Sequence, residues 1–414
     1  MNRTDVIVAG AGMAGLLAAL AAARNGRTVK LITEGVGSLA ISGGCIDLLG
    51  YVGGKAVEHP WQALDSLEAG HPYRILGRDR VHAALAAFEE LTAAAGYPYT
   101  APADGRNRRI PTIMGTLKPS WLCSPAGHAE ALASARRVLV LGVEGFKDCH
   151  PAVVVRQLKR YPEMAGKEFT SAMIRLPERQ RRRTLSPLDV ARFLDTDAGR
   201  AWMERELTPH GGRYDVVLLP PICGTHADDG ARQVLSRALA CPVLEMLSIP
   251  PGVGGLRLRE MLCGELARLG VTLVENATVS RAEVTNGRCT ALVTTAPDAE
   301  RRHEATEFIL ATGGVLGGGI ATEPGRARER ICAIPIEMPE DPEQWSTPEL
   351  FAQHAITSMG VRVDAQLRPV GPDGAVLLRN VRFAGRTLGG YDFGLEKSGF
   401  GVAIATGWTA GSLA

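Results

Sequence analysis

The sequence predicts an α/β protein in which one parallel-sheet domain, closed from two distant parts of the chain, is interrupted by a second α/β domain. Three observations carry the expectation. Near the start, Asp5-Val-Ile-Val-Ala9, the turn Gly10-Ala-Gly12-Met-Ala-Gly15, an alanine- and leucine-rich stretch to Asn25-Gly26 and the run Thr28 to Ile32 read as strand, turn, helix, strand. Far downstream, Phe308-Ile-Leu-Ala-Thr312-Gly313-Gly314 and Val381-Arg-Phe-Ala-Gly385 are apolar strands that end in glycine turns. Between them, Arg137 to Leu141, Ala172 to Leu176, Asp215 to Leu219 and Val243 to Met246 are strand-like runs separated by segments of helical spacing, such as Ser186 to Leu194. Residues 1–54 and 252–414 are therefore expected to form a discontinuous Rossmann-like FAD/NAD(P)-binding domain, and residues 55–251 an inserted α/β domain for substrate or partner.

Composition excludes several classes. With 45% hydrophobic and 22% charged residues, a chain of 414 can bury a large core and is neither disordered nor fibrous. A net charge of +2 supplies no field for nucleic acid or an anionic membrane. The basic run Arg179 to Arg183 reads as a solvated face or a docking point for an acidic partner. Eight cysteines stand apart with no Cys-x-x-Cys pair, so neither a zinc ribbon nor a local iron–sulfur ligand set is encoded; no metal is expected. Scattered thiols in a chain without a secretory leader point to a cytoplasmic protein. The uncharged stretch Val6 to Ala23 is broken by glycines and begins as a strand, so it is not expected to span a membrane.

The turn after the first strand is built for a dinucleotide. Gly10 makes the bend, Gly12 lets a pyrophosphate approach the backbone, and Gly15 lets helix and strand pack closely. The helix then presents free N–H groups and a partial positive charge to the phosphates. The position for the ribose-binding acid holds Thr33, with Glu34 one residue later, so either Glu34 reaches the sugar or Thr33 makes a weaker contact.

Later motifs choose flavin over nicotinamide. Thr312 and Gly313 close a strand in a way that resembles the second contact motif of two-dinucleotide-binding-domain flavoproteins. That strand follows the runs Val271 to Val284 and Arg288 to Thr295, joined near the hairpin signal Asn286-Gly287. Gly385 ends a strand beside the expected flavin, and Gly399 and Gly401 open an apolar helix whose N-terminus would stabilise reduced flavin. Ser42-Gly43-Gly44 resembles the flavin-cradling loop of fumarate reductase and related dehydrogenases. No histidine occurs from Met1 to Val57, so the flavin is expected to be noncovalent.

The middle of the chain supplies candidate chemistry. Arg257 follows the rigid Pro250-Pro251-Gly252 loop and offers a guanidinium for a phosphate or carboxylate, or for a salt bridge on the helix surface. His226, in a glycine-flanked loop after a strand, is the leading base, with His354 second. The Gly142-Val-Glu-Gly145 turn lacks a full fingerprint and reads as a folding turn.

Several longer stretches bear a specific resemblance. His71-Pro-Tyr-Arg-Ile-Leu-Gly77, Gly115 to Pro125, Ala191 to Asp195, the Pro250-Pro251 loop with Arg257-Leu258, and Leu388-Gly-Gly-Tyr-Asp392 resemble the B-subunit family of anaerobic glycerol-3-phosphate dehydrogenase nearly end to end. The resemblance implies a flavoprotein carrying FMN by family assignment, whereas the glycine turn suits FAD. It implies pairing with the larger, flavin-containing A-subunit and docking on the iron–sulfur C-subunit at the inner membrane. It further implies oxidation of glycerol 3-phosphate to dihydroxyacetone phosphate, with electrons passed to quinone. Two alternatives stay open: an electron-transfer and assembly subunit without its own substrate chemistry, and a fumarate-reductase-like enzyme acting on dicarboxylates.

Overall fold

The structure is a computed structural model that describes residues 4–180, 184–296, 299–350 and 352–414, the side chains of residues 179, 296 and 299 excepted. Most of the basic run 179–183 thus lies outside the described residues. The main strands are β1 (Val6–Ala9), β2 (Val29–Ile32), β3 (Arg137–Val143), β4 (Glu168–Ile174), β5 (Val216–Leu219), β6 (Val243–Glu245), β7 (Thr272–Val274), β8 (Glu307–Leu310) and β9 (Val381–Phe383). The helices that matter most are α1 (Met13–Arg24), α2 (Val253–Arg268) and α3 (Gly399–Ser412).

The chain forms two compact units: Met1–Ser38, Asp47–Phe88 and Leu262–Ala414 in the first, Leu39–Ile46 and Glu89–Met261 in the second. Where the sequence suggests divisions at 54/55 and 251/252, residues 55–88 group with the first unit and residues 39–46 with the second. Residues 55–88 pack within the first unit. There Tyr73 donates its hydroxyl to Leu48 O at 2.8 Å, and His71, whose Nδ1 accepts from Tyr73 N, bonds Glu396 through Nε2 at 3.1 Å. Residues 39–46 join the second unit because bare backbones meet there. A Cβ on Gly252 would stand 1.9 Å from Ser42 O, and one on Gly44 2.5 Å from Gly254 C.

The first unit is organised by a five-stranded parallel sheet in the order β7-β2-β1-β8-β9. β1 is buried on both faces, which is why it reads as an unbroken apolar run. α1 packs along α3, where Cβ atoms on Gly407 and Gly411 would fall 2.2 and 2.1 Å from Ala14 O and Ala18 O. The run Val271 to Val284 does not stay one strand. It breaks at Asn276, φ 55°, so that β7 joins the parallel sheet and Thr278–Thr285 begins an antiparallel three-stranded sheet with Arg288–Ala296 and Ala299–Glu304. Asn286 and Gly287 make the hairpin turn with φ 50° and 69°. A smaller hairpin ends at Glu329, a fully buried carboxyl that accepts from the amides of Ile331 and Cys332 at 2.9 and 2.6 Å.

The second unit holds a four-stranded parallel sheet in the order β6-β5-β3-β4. Ser186 and Asp189 close a capping box at the start of the helix Pro187–Leu194. Gly142 lies inside β3, where a Cβ would meet Pro151 at 2.5 Å, so it serves packing.

Candidate functional site

The turn after β1 has the form a dinucleotide needs. Gly10 holds φ 102°, and a Cβ there would sit 2.4 Å from Ala311 O; a Cβ on Gly15 would sit 1.8 Å from Gly10 O. These two glycines bring β1, α1 and the end of β8 into contact. Gly12 differs, since nothing lies within 4 Å of its Cβ position. It is also the N-cap of α1, no side chain caps that helix end, and no acid stands in its first turn. An open, uncapped helix start is an anion seat. Gly37, which the sequence analysis did not single out, brings the loop after β2 back so that a Cβ would stand 3.0 Å from Gly12 Cα.

Thr33 is buried and its hydroxyl closes a local turn, donating to Gly35 O at 2.6 Å and accepting from Gly35 N at 3.2 Å. Glu34 is exposed beside it. Thr312 follows β8 with its Oγ1 buried and without a hydrogen-bond partner, and Gly313 beside it holds φ 87°. The uncapped α1 start, the bare face at Gly12 and the unpartnered Thr312 hydroxyl fit a phosphate-bearing flavin.

The other expected contact residues are packed as follows. Gly385, φ 69°, is pressed against Ala14, and its amide donates to Thr406. The Gly401 amide donates to Asp47 O at 3.0 Å, and a Cβ there would strike Tyr73 Oη at 2.2 Å. Gly399 packs against Phe393. Ser42 Oγ accepts from Gly44 N at 3.0 Å, and Gly43 abuts Leu247. Ser42, Gly43 and Gly44 group with the second unit.

The two catalytic candidates have the following surroundings. Arg257 is 2% exposed; its Nη1 and Nη2 donate to Glu245 at 2.5 and 3.0 Å, and its Nε and Nη2 donate to Gly224 O at 2.8 and 2.7 Å. A guanidinium so committed ties α2 to β6 and the turn after β5, and cannot also grip a phosphate. The cavity beside it, lined by Gly43, Gly44, Glu245 and Gly254 among others, measures about 30 Å³, room for water and not for a substrate. His226 is exposed and paired through Nδ1 with Glu260 at 2.8 Å, and that carboxylate raises its pKa. His354 is held by Thr347 N and Leu350 O. Among the described residues, no helix is long and apolar enough to cross a membrane, and no group of three or more His, Cys, Asp or Glu could hold a metal ion.

Known proteins place this arrangement. The FAD binding domain family matches residues 5–402. The chain is 33% identical to the probable B-subunit of anaerobic glycerol-3-phosphate dehydrogenase from Halobacterium salinarum, over 99% of this chain and 97% of that one. It is 29% identical to the B-subunit of anaerobic glycerol-3-phosphate dehydrogenase from Vibrio cholerae, over 99% and 96%. Among solved structures, 3-ketosteroid delta1-dehydrogenase from Sterolibacterium denitrificans is a distant likeness at 12% identity and TM-score 0.46, covering 99% of both chains. Matched along nearly all its length, the chain belongs to the FAD binding domain family of flavoproteins and, within it, to the B-subunit family of anaerobic glycerol-3-phosphate dehydrogenase.

Proposed function

We propose that this chain is the flavin-holding electron-transfer and assembly subunit of an anaerobic glycerol-3-phosphate dehydrogenase. It would relay electrons from the larger A-subunit, which oxidises the substrate, to the iron–sulfur C-subunit, which serves the membrane quinone. The observation that carries the choice of relay over dehydrogenase is the commitment of Arg257 to Glu245 and Gly224, which removes the one phosphate-gripping residue the sequence offered. His226, exposed and made more basic by Glu260, does not replace it as the start of a substrate site.

In this reading the N-terminus of α1, with Gly12 bare before it, binds the flavin's phosphates, Glu34 reaches the ribose and Thr312 donates to the cofactor from the end of β8. A bound flavin would supply the capacity to accept electrons as a pair and release them singly. The protein's own contribution is to position and charge that site. The chain would sit in the cytoplasm, peripheral to the inner membrane through its partners.

The test is anaerobic reduction of the purified, flavin-loaded chain. Glycerol 3-phosphate alone should leave the flavin oxidised, and addition of the A-subunit with the same substrate should bleach it. Bleaching by glycerol 3-phosphate without that partner would restore the direct dehydrogenase and defeat the relay.

A further inference from the structure

Eight cysteines scattered through the sequence carry no local pairing signal, yet the second unit sets two of them side by side. Ile46 and Leu122 exchange both backbone hydrogen bonds, each N–H donating to the other's carbonyl at 2.9 Å. The two segments run antiparallel there, so the residues one step along, Cys45 and Cys123, stand opposite each other on one face. The Cys123 backbone turns the other way: its N–H donates to Thr100 O at 3.3 Å, and its carbonyl accepts from Thr100 N at 3.1 Å. Cys45 and Cys123 therefore make a non-hydrogen-bonded cross-strand pair, the closer kind, with about 4.5 Å between Cα atoms. A disulfide spans Cα separations of about 4.4–6.8 Å, so this pairing lies within its reach.

Three further observations converge on the two sulfurs. Both side chains pack in one small cluster with Ile110, against Leu247. Both line the cavity of about 30 Å³ beside Arg257, which has room for water or for hydrogen peroxide but not for a bulky disulfide reagent. Lys118 Nζ donates to Cys45 Sγ at 3.3 Å from the hairpin strand Leu117–Ser120, and an ammonium so placed steadies the negative charge that a reacting sulfur carries. Cys45 is 6% exposed and Cys123 1%, and neither is disulfide-bonded in this structure.

We propose that Cys45 and Cys123 form a redox-sensitive dithiol, which hydrogen peroxide closes to a disulfide. Cys45, beside Lys118, reacts first: it loses its proton to solvent, and its thiolate attacks one peroxide oxygen. The O–O bond breaks, Cys45 becomes a sulfenic acid, and the departing hydroxide takes up a proton to leave as water. The Cys123 sulfur, giving up its proton, then attacks the Cys45 sulfur. The S–S bond forms, the S–O bond breaks, and the second oxygen leaves as water. Two thiols and one peroxide become one disulfide and two waters, so the electron pair lost by sulfur is the pair gained by oxygen. Residues 39–46 reach the rest of their unit along the chain only through residues 47–88 of the first unit, and the new bond staples them directly to the segment 117–123. The dithiol is independent of whether the chain relays electrons or oxidises a substrate.

The test is peroxide treatment of the purified full chain, followed by alkylation of the remaining thiols in denaturant and peptide mapping by mass spectrometry. A small molar excess of peroxide should lower the thiol count from eight to six, place the cross-link between Cys45 and Cys123, and be reversed by dithiothreitol. The oxidised chain should unfold at a higher urea concentration than the reduced one, because the cross-link constrains the unfolded state. In Cys123→Ser the reaction should stop at a Cys45 sulfenic acid that dimedone captures, and in Cys45→Ser the Cys123 thiol should survive. Lys118→Met should slow thiol loss by about threefold or more. A disulfide on another pair, over-oxidation of Cys45 without a cross-link, or survival of all eight thiols would overturn the proposal. The mapping is made on the wild-type chain, so a variant that fails to fold leaves these outcomes readable.

Discussion

Arg257 and Glu245 hold each other through two charge-assisted hydrogen bonds, at 2.5 and 3.0 Å, with both side chains buried and Cys223 N closing on the same carboxylate at 2.6 Å. Removing one partner leaves an uncompensated buried charge. Arg257→Met should therefore cost about 3–5 kcal/mol, while the double variant with Glu245→Met should recover most of that. Urea denaturation checks both. Equal losses in the single and double variants would mean that packing, not charge, holds this corner of the second unit.

The glycine turn separates fold from binding. Gly12→Ala adds a methyl where nothing lies within 4 Å, so the melting temperature should hold while flavin affinity falls about tenfold or more, because the methyl occupies the face a pyrophosphate approaches. Gly10→Ala, with φ 102° and Ala311 O at 2.4 Å, should instead damage the fold itself. Calorimetry beside a flavin titration distinguishes them.

Glu329 gives the protein a pH dependence of known sign. Burial raises its carboxyl to about 7 against the helping amides of Ile331, Cys332 and Ile334. Between the ordinary value near 4.5 and 7, the folded chain keeps a proton that the unfolded chain has lost. The group's contribution to stability therefore falls as pH rises through that window, by up to about 3 kcal/mol. Glu329→Gln should flatten this part of the stability profile, as measured by denaturation at stepped pH. An unaltered slope would place the dependence elsewhere.

His226→Gln should change stability by less than about 1 kcal/mol, because its pair with Glu260 is exposed. The raised pKa means that what the pair contributes is present at low pH and lost as pH rises through the folded value. Turnover by the assembled complex should stay within about twofold of wild type, whereas loss of a general base would lower it by about a hundredfold or more.

Features set by local rules were legible in the sequence. The glycine turn, the Asn286-Gly287 hairpin and most strands of both parallel sheets each follow from a few adjacent residues, whereas the run Ala172 to Leu176 meets only the end of the strand Glu168–Ile174. What escaped depends on distant partners. Arg257, in a Pro/Gly loop, reads as available because nothing nearby in sequence announces that Glu245 and Gly224 O will enclose it. The affiliation of residues 39–46 follows from glycines meeting across two hundred positions, which no periodicity encodes.

The parallel sheet of the first unit also has a history in time. β1 emerges early from the ribosome, yet its neighbour β8 and the helix α3 that packs on α1 are translated only after the whole second unit. Until then β1 and β2 present an apolar, half-paired edge, the kind of surface that aggregates or recruits chaperones. The intervening Glu89–Met261 segment, contiguous and with a core of its own, can fold during that wait. Cofactor loading is therefore a late event in biogenesis, and a ribosome stalled before β8 would release a folded second unit joined to an unfinished sheet unable to retain flavin.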